Sequence, residues 1–411
     1  FRFRWDVVYT NTMSAGAYRG YGATQGIFAI ESTVSELADL LGIDQTVIRE
    51  KNLVREGDVM PAYYGETATS CALDRCLARV KQMIDWDAKA KPVTLPNGKI
   101  RAVGVSMAMQ GSGISSVDVG SVTIRMADDG DYNMLLGCTD MGTGCDTILA
   151  QMAADCLDCQ MNEIAVYASD TDVAPYDSGS YASATTYVTG MACVKACTEL
   201  RDKIIATGAS MLGIDPEDAE FDGAKVYCVS DPDKFVSRKD VAYKGQCGSN
   251  SELAATVSHS SPVSPPPFMV GAAEIELDPE TGKVDLVDYC ACVDCGTPIN
   301  PNLARVQTEG GLVQGIGMAL YEDIVYGENG TNYSNSFMQY KIPSRLDIGK
   351  VRVEFESSYE PSGPFGAKSI GEVVINTPPP AIAAAVASAT GVRIRSLPIT
   401  AEKIVMGMQK L

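Results

Sequence analysis

Apolar and polar positions follow two periods along this chain. From Thr24 to Leu41 the residues Ile27, Ile30, Val34, Leu37 and Leu41 recur at helical steps. That spacing predicts an amphipathic helix, ended by Gly42 in a left-handed cap. Asp44 is placed to cap a second helix, through about Lys51. Further helices are predicted over about 71–86, from Asp146 to Cys156, from Gly190 to Ala206, through Gln307, and from Pro380 to Thr390. Strand-like runs cover Trp5 to Thr10, Ala102 to Met107, Ile164 to Ala168 and Val284 to Val293. Val122–Met126 and Tyr132–Leu136 flank Asp128-Asp129-Gly130, which predicts a hairpin. A second hairpin turns at Asp278 to Gly282. Residues 211–260 read as surface-facing, and Pro262 to Pro267 as a connector.

Composition narrows the classes. A chain of 411 residues with 45 % hydrophobic content has room for two to three domains with large cores. A net charge of −19 argues against nucleic acid or an anionic membrane as the main partner. No uninterrupted apolar run reaches the roughly 18 residues expected of a membrane span, so none is predicted. The opening Phe1-Arg2-Phe3-Arg4-Trp5 has neither an apolar leader nor an initiator methionine. The expectation is a cytoplasmic protein whose start is processed or lies partway into a larger fold.

The 13 cysteines are too sparse for a disulfide scaffold, and their odd number favours reduced thiols. The C-x-x-C pairs Cys156/Cys159 and Cys292/Cys295 are read as structural thiols, and Cys193 and Cys197 as one helix face. With His259 as the sole histidine, no metal-ligand cluster is expected.

Candidate chemistry gathers in Gly-rich and hydroxyl-rich loops. Lys368-Ser369-Ile370-Gly371-Glu372 places a carboxylate after a glycine, ahead of a Pro-started, Ala-rich helix. By itself this also suits an ordinary surface turn. Asp140-Met141-Gly142-Thr143-Gly144 links a strand to a helix N-terminus, a natural seat for an anion. Ser180-Tyr181-Ala182-Ser183 precedes another helix, and Ala17-Tyr18-Arg19-Gly20-Tyr21-Gly22 precedes the first. Gly310-Gly311 and Gly315/Gly317 interrupt a helical pattern after Gln307. Glycines there cost helix stability, so close packing or a nearby ligand is expected.

Taken in order, these five segments resemble the molybdopterin-binding subunit of the xanthine dehydrogenase family of molybdenum hydroxylases. The resemblance covers nearly the whole chain, but only the C-terminal portion of the family's molybdenum module. It implies an α+β fold of mixed sheets with packed helices. Residues 1–62 would be the tail of a first cofactor domain, and 63–411 a second.

The resemblance implies Glu372 as the catalytic base. It places Tyr21 against a substrate ring, with Gln110 and Ser112 in a loop that could line the substrate channel. Ala17 and Arg19 would lie near the cofactor, with Gly371 beside Glu372. Met141, Gly142, Thr143 and Gly144 would meet the pterin and its phosphates through backbone N–H groups. Ser180, Ala182, Ser183 and Thr185 would form a second cofactor loop, and Gln307 would hydrogen-bond the pterin. Many relatives carry Gln at Thr143, Arg at Ala184 and Pro at Val373, so contacts there are expected to differ.

The implied cofactor is molybdopterin, as the cytosine dinucleotide, carrying molybdenum with a terminal sulfido or selenido ligand. The metal would be held by the pterin dithiolene, with no protein ligand. Burial by Pro378 to Pro380 would raise the Glu372 pKa. The implied reaction hydroxylates an electron-poor carbon of an N-heteroaromatic, such as a purine (xanthine, for instance) or nicotinate. Electrons would leave through 2Fe–2S and FAD partner subunits, and a second molybdopterin-binding chain would complete the first domain. Aldehyde or carbon monoxide oxidation, or a non-catalytic structural subunit, are the alternatives.

Overall fold

The computed structural model describes residues 4–61, 63–247 and 252–411. A five-stranded sheet sits at its centre. In spatial order its strands are Lys350–Phe355, Val284–Asp294, Phe268–Leu277, Ile100–Met109 and Val93–Thr94. The first pair is parallel and the rest are antiparallel. The middle strands are buried nearly end to end because helices cover both faces. Leu73–Ile84 packs on one face through Cys76, Leu77, Val80 and Ile84. The Ala-rich helix Pro378–Thr390 covers the other.

That second helix lies unusually close to the sheet. A Cβ on Gly104 would stand 2.2 Å from the Ala381 carbonyl oxygen and 2.4 Å from the Ala385 nitrogen. Glycine on the strand and alanines on the helix are what permit the approach. Val373–Thr390 is long and apolar enough to cross a membrane by length and composition. With 83 % of it buried, it is a core element here.

A four-stranded sheet forms the second layer, in the order Ala254–His259, Gly120–Met126, Tyr132–Leu136 and Ile164–Ala168. The hairpin expected at 122–136 is present, with Val122 opposite Leu136. Helices Cys145–Leu157 and Gly190–Leu212 pack against this sheet. Cys193 and Cys197 lie fully buried on the latter's inner face. Cys292 and Cys295 are buried as well, Cys156 and Cys159 are half-buried, and all the cysteines are free thiols.

Several expectations are corrected. Trp5 to Thr10 forms no strand, and Val7 within it is 90 % exposed. The helix foreseen over 71–86 breaks at Asp85, whose φ is 57°, and resumes as Trp86–Lys89. Residues 211–260 are more than surface. They supply the edge strand 254–259 and core side chains Phe221, Val226, Val241 and Leu253. The 262–267 connector is buried from Ser264 onward. The expected domain boundary at Ala62 lies outside the described residues.

The first helix, Ala23–Leu41, also turns an unexpected face inward. Glu31, Ser35 and Ala38 are buried, whereas Ile30 and Leu37 on the apolar stripe are exposed. A polar network explains this. Arg49 bonds Glu31 Oε2 and Ser35 Oγ at 2.9 Å each, and the Met107 N–H donates to the same Glu31 oxygen at 2.9 Å. A buried ion pair needs all its partners satisfied, and only this face of the helix supplies them.

Candidate functional site

Glu372 stands on a loop held from several sides. The Lys368 N–H donates to the Cys295 carbonyl at 2.8 Å. Lys368 Nζ meets Asp294 Oδ2 at 3.0 Å, with both side chains fully buried. Asp294 in turn accepts from the Ala72 N–H (2.8 Å), the Gly296 N–H (2.9 Å) and Ser358 Oγ (2.7 Å). The Ser369 N–H donates to Ser112 Oγ at 3.1 Å, and Ser369 Oγ accepts from the Tyr187 N–H at 3.1 Å. Such a satisfied network leaves the loop one conformation.

Glu372 is 8 % exposed. Its Oε1 accepts from the Gly20 N–H at 3.1 Å and its Oε2 from Ser183 Oγ at 3.2 Å. Burial raises the Glu372 pKa; those two donors and the charge of Arg19 oppose the rise. Gly20 has φ 73°, and a Cβ there would lie 2.8 Å from Ile375 Cγ2, so only glycine brings that N–H to the acid. A Cβ on Gly371 would crowd Ser183 Oγ at 3.0 Å.

Arg19 ties three segments together. Its guanidinium bonds the Gly371 carbonyl, Gln314 Oε1 (3.2 Å), and the carbonyl (3.2 Å) and side chain (3.1 Å) of Gln307. Gln307 and Gln314 lie two turns apart on the helix Pro301–Leu320, hence on one face. Gly311 sits between them: a Cβ there would lie 2.3 Å from Val374 Cγ2 and 3.2 Å from Arg19 Cζ. Close packing thus explains Gly311, while Gly310 has nothing within 4 Å. Burial lowers the Arg19 pKa, opposed by Glu372 and Tyr18.

These groups line a cavity of about 650 Å³, within the usual range for cofactor pockets. Ala17, Arg19 and Tyr21 line it from the first turn, and Met141 and Thr143 from the loop before helix Cys145–Leu157. Ser180, Ala182, Ser183 and Thr185 line it from the next loop. Gln307, Gly371 and Glu372 complete the set. Ala182 and Ser183 both have positive φ, 49° and 58°, strained values that aim Ser183 at Glu372.

Four expected residues lie elsewhere. Gln110 and Ser112 do not line the cavity. Gln110 Oε1 accepts from Asn376 Nδ2 at 2.9 Å, and Ser112, 1 % exposed, donates to the Pro265 carbonyl at 2.7 Å. Both brace the Glu372 loop from behind. Gly142 and Gly144 are also outside the lining, and their N–H groups are already engaged. Asp140 Oδ1 accepts from them at 2.9 and 3.1 Å, so a side-chain carboxylate fills the anion seat at the helix start. The Gly142 carbonyl accepts from Gln307 Nε2 at 3.0 Å. The buried Pro378 to Pro380 are likewise absent from the cavity wall.

Sequence reasoning gave no site role to Gln314, Lys368, Asp294 or Tyr181, although Lys368 and Tyr181 stand within the candidate loops. Only Tyr181 carried a signal, as the one large ring in a loop of small residues. Asp140, Cys145 and Asp146 have potential ligand atoms within 4.8 Å of one another. Asp140 is spent on backbone N–H groups.

The donor set suits an anionic, heteroatom-rich group. It offers the half-buried Arg19 in a protein of net charge −19, hydroxyls on Thr143 and Thr185, and open space beside Gly142, whereas Ser180 Oγ is already spent donating to the Thr139 carbonyl at 2.8 Å.

Residues 79–349 match the profile of a family described as a molybdopterin cofactor-binding domain, and residues 1–53 match a second of the same description. The chain is 36 % identical over 425 residues to the probable hypoxanthine oxidase XdhD of Escherichia coli, covering 100 % of this chain and 44 % of that one. It is 34 % identical over 406 residues to the putative xanthine dehydrogenase molybdenum-binding subunit XdhA of Escherichia coli, covering 96 % and 54 %. Among solved structures, quinoline 2-oxidoreductase from Pseudomonas putida 86 superposes with a TM-score of 0.87 at 27 % identity, covering 96 % of this chain and 53 % of that one. The chain spans about half the length of the relatives it matches.

Proposed function

The chain belongs to the molybdopterin cofactor-binding family of xanthine dehydrogenase-like molybdenum oxidoreductases, and from that premise we propose that it forms the catalytic half-site of a molybdenum hydroxylase acting on N-heteroaromatic rings. The observation that carries the reading is Glu372, buried at the cavity wall with both oxygens held. The reaction converts C–H and water to C–OH, releasing two protons and two electrons. When bound, the molybdenum pterin supplies the redox centre for those electrons.

The chain's own residues supply position and proton transfer. Glu372 takes up a proton from the water-derived nucleophile, and burial moves its pKa toward the working pH. Arg19, locked to Gln307 and Gln314, places positive charge beside the cofactor loops. Thr143, Thr185 and the Gln307 amide would hold the pterin and its nucleotide, while Ser180 Oγ, bonded to the Thr139 carbonyl and N–H, fixes the loop beside them. Tyr21 offers a half-exposed ring to a flat substrate.

The remaining elements extend the proposal. The cofactor is the cytosine dinucleotide with a sulfido or selenido ligand, and iron–sulfur and flavin subunits take the electrons. A further molybdopterin-binding chain covers the exposed apolar face of the helix Ala23–Leu41. The free thiols support a cytoplasmic setting. The test assays the purified complex with xanthine, nicotinate and an aldehyde, alongside molybdenum and nucleotide analysis. A molybdenum-free complex that turns over none of them would point to a structural subunit instead.

A further inference from the structure

An aromatic residue at the cavity mouth has no part in the chemistry above. Tyr181 lines the cavity beside Ser180 and Ser183 and is 42 % exposed, close to the 49 % of Tyr21. Its backbone is fixed on both sides. The Tyr181 N–H donates to the Gly179 carbonyl at 2.9 Å, and its carbonyl accepts from the Ala184 N–H at 3.0 Å. The two following residues hold positive φ, which such residues adopt only when their surroundings dictate it.

The far end of the side chain meets a second constraint. Asp118 is 1 % exposed, and its Oδ2 accepts from the Ile114 N–H at 2.6 Å. Its Oδ1 is buried and has no hydrogen-bond partner among the described residues. The nearby Asp118 carboxylate holds the Tyr181 phenol above its ordinary value. A buried, unsatisfied carboxylate oxygen is costly, which favours keeping the phenol turned toward it.

We propose that Tyr181, positioned by Asp118, is a specificity-determining residue that works with Tyr21 to select flat heteroaromatic rings over small aliphatic substrates. The inference rests on the heteroaromatic reading above and names the residue that enforces it. Stacking on an aromatic face rewards a ring and gives a small aldehyde almost nothing.

The test uses the intact holo complex and purine as the probe, with affinity measured by calorimetry. Tyr181→Ala is expected to weaken purine binding about tenfold, with molybdenum and pterin contents at parental levels. Asp118→Asn is expected to weaken it less, in the same direction. The purine-to-acetaldehyde ratio of kcat/KM falls with the affinity in both variants. Unchanged purine affinity in Tyr181→Ala overturns the proposal, as does loss of affinity only in step with lost cofactor. Failure of the hydroxylase reading shows separately, as turnover that survives Glu372→Gln while purine binding stays intact.

Discussion

The backbone N–H of Gly20 donates to Glu372 Oε1 at 3.1 Å across 352 residues of sequence. The first turn of the described chain and the last loop before the core helix therefore build one site. Arg19 makes the same join a second time, through the Gly371 carbonyl.

Replacing the acid tests its role most directly. Glu372→Gln keeps the shape: its amide oxygen can still accept from the Gly20 N–H and its amide nitrogen can donate to Ser183 Oγ, but it takes up no proton. Turnover of a heteroaromatic substrate is expected to fall about 10²- to 10⁴-fold. Molybdenum and pterin contents should match the parent; near-normal turnover at full occupancy would remove Glu372 as the base.

The pH dependence has a definite sign. Burial raises the Glu372 pKa, so the acid limb of kcat/KM should lie above that of an ordinary carboxylate. Ser183 Oγ donates to the charged form and opposes that rise. Ser183→Ala should therefore move the acid limb to higher pH. A limb that stays put or moves down would show that Ser183 does not stabilise the carboxylate.

The Lys368–Asp294 pair, with both side chains fully buried, should be a strong point of stability. Lys368→Met leaves Asp294 buried and uncompensated, at an expected cost of about 3–5 kcal/mol in denaturant unfolding. Asp294→Asn leaves the ammonium uncompensated and should be similarly harmful. A loss under about 1 kcal/mol would mean that water or another group reaches the pair.

Two adjacent glycines should respond in opposite directions. Gly311→Ala drives a Cβ into Val374 and toward Arg19 and should cost about 1–3 kcal/mol. Gly310→Ala meets open space in the same helix and should stabilise by about 0.5–1 kcal/mol. Equal effects of either sign in thermal unfolding would contradict the packing described.

Much of this was legible in the sequence because it depends on local chemistry. Periodicity placed the helices after Gly22 and Asp44, and Asp128-Asp129-Gly130 placed a hairpin, since each signal acts within a few residues. Loops rich in glycine and hydroxyls marked the cavity wall for the same reason. What the sequence could not decide is which partner each group takes. The stripe on the first helix predicted an apolar inner face, but the Glu31–Arg49 network turned the neighbouring face inward. Gly142 and Gly144 were placed to receive an anion, but Asp140 in the same loop takes their N–H groups. Ser112 and Gln110 were expected at the substrate channel, yet the fold put them behind the Glu372 loop. Composition and spacing thus determined the elements and the candidate loops. Tertiary structure decided their orientation, because buried polar groups must each find a partner, and many of those partners lie hundreds of residues away.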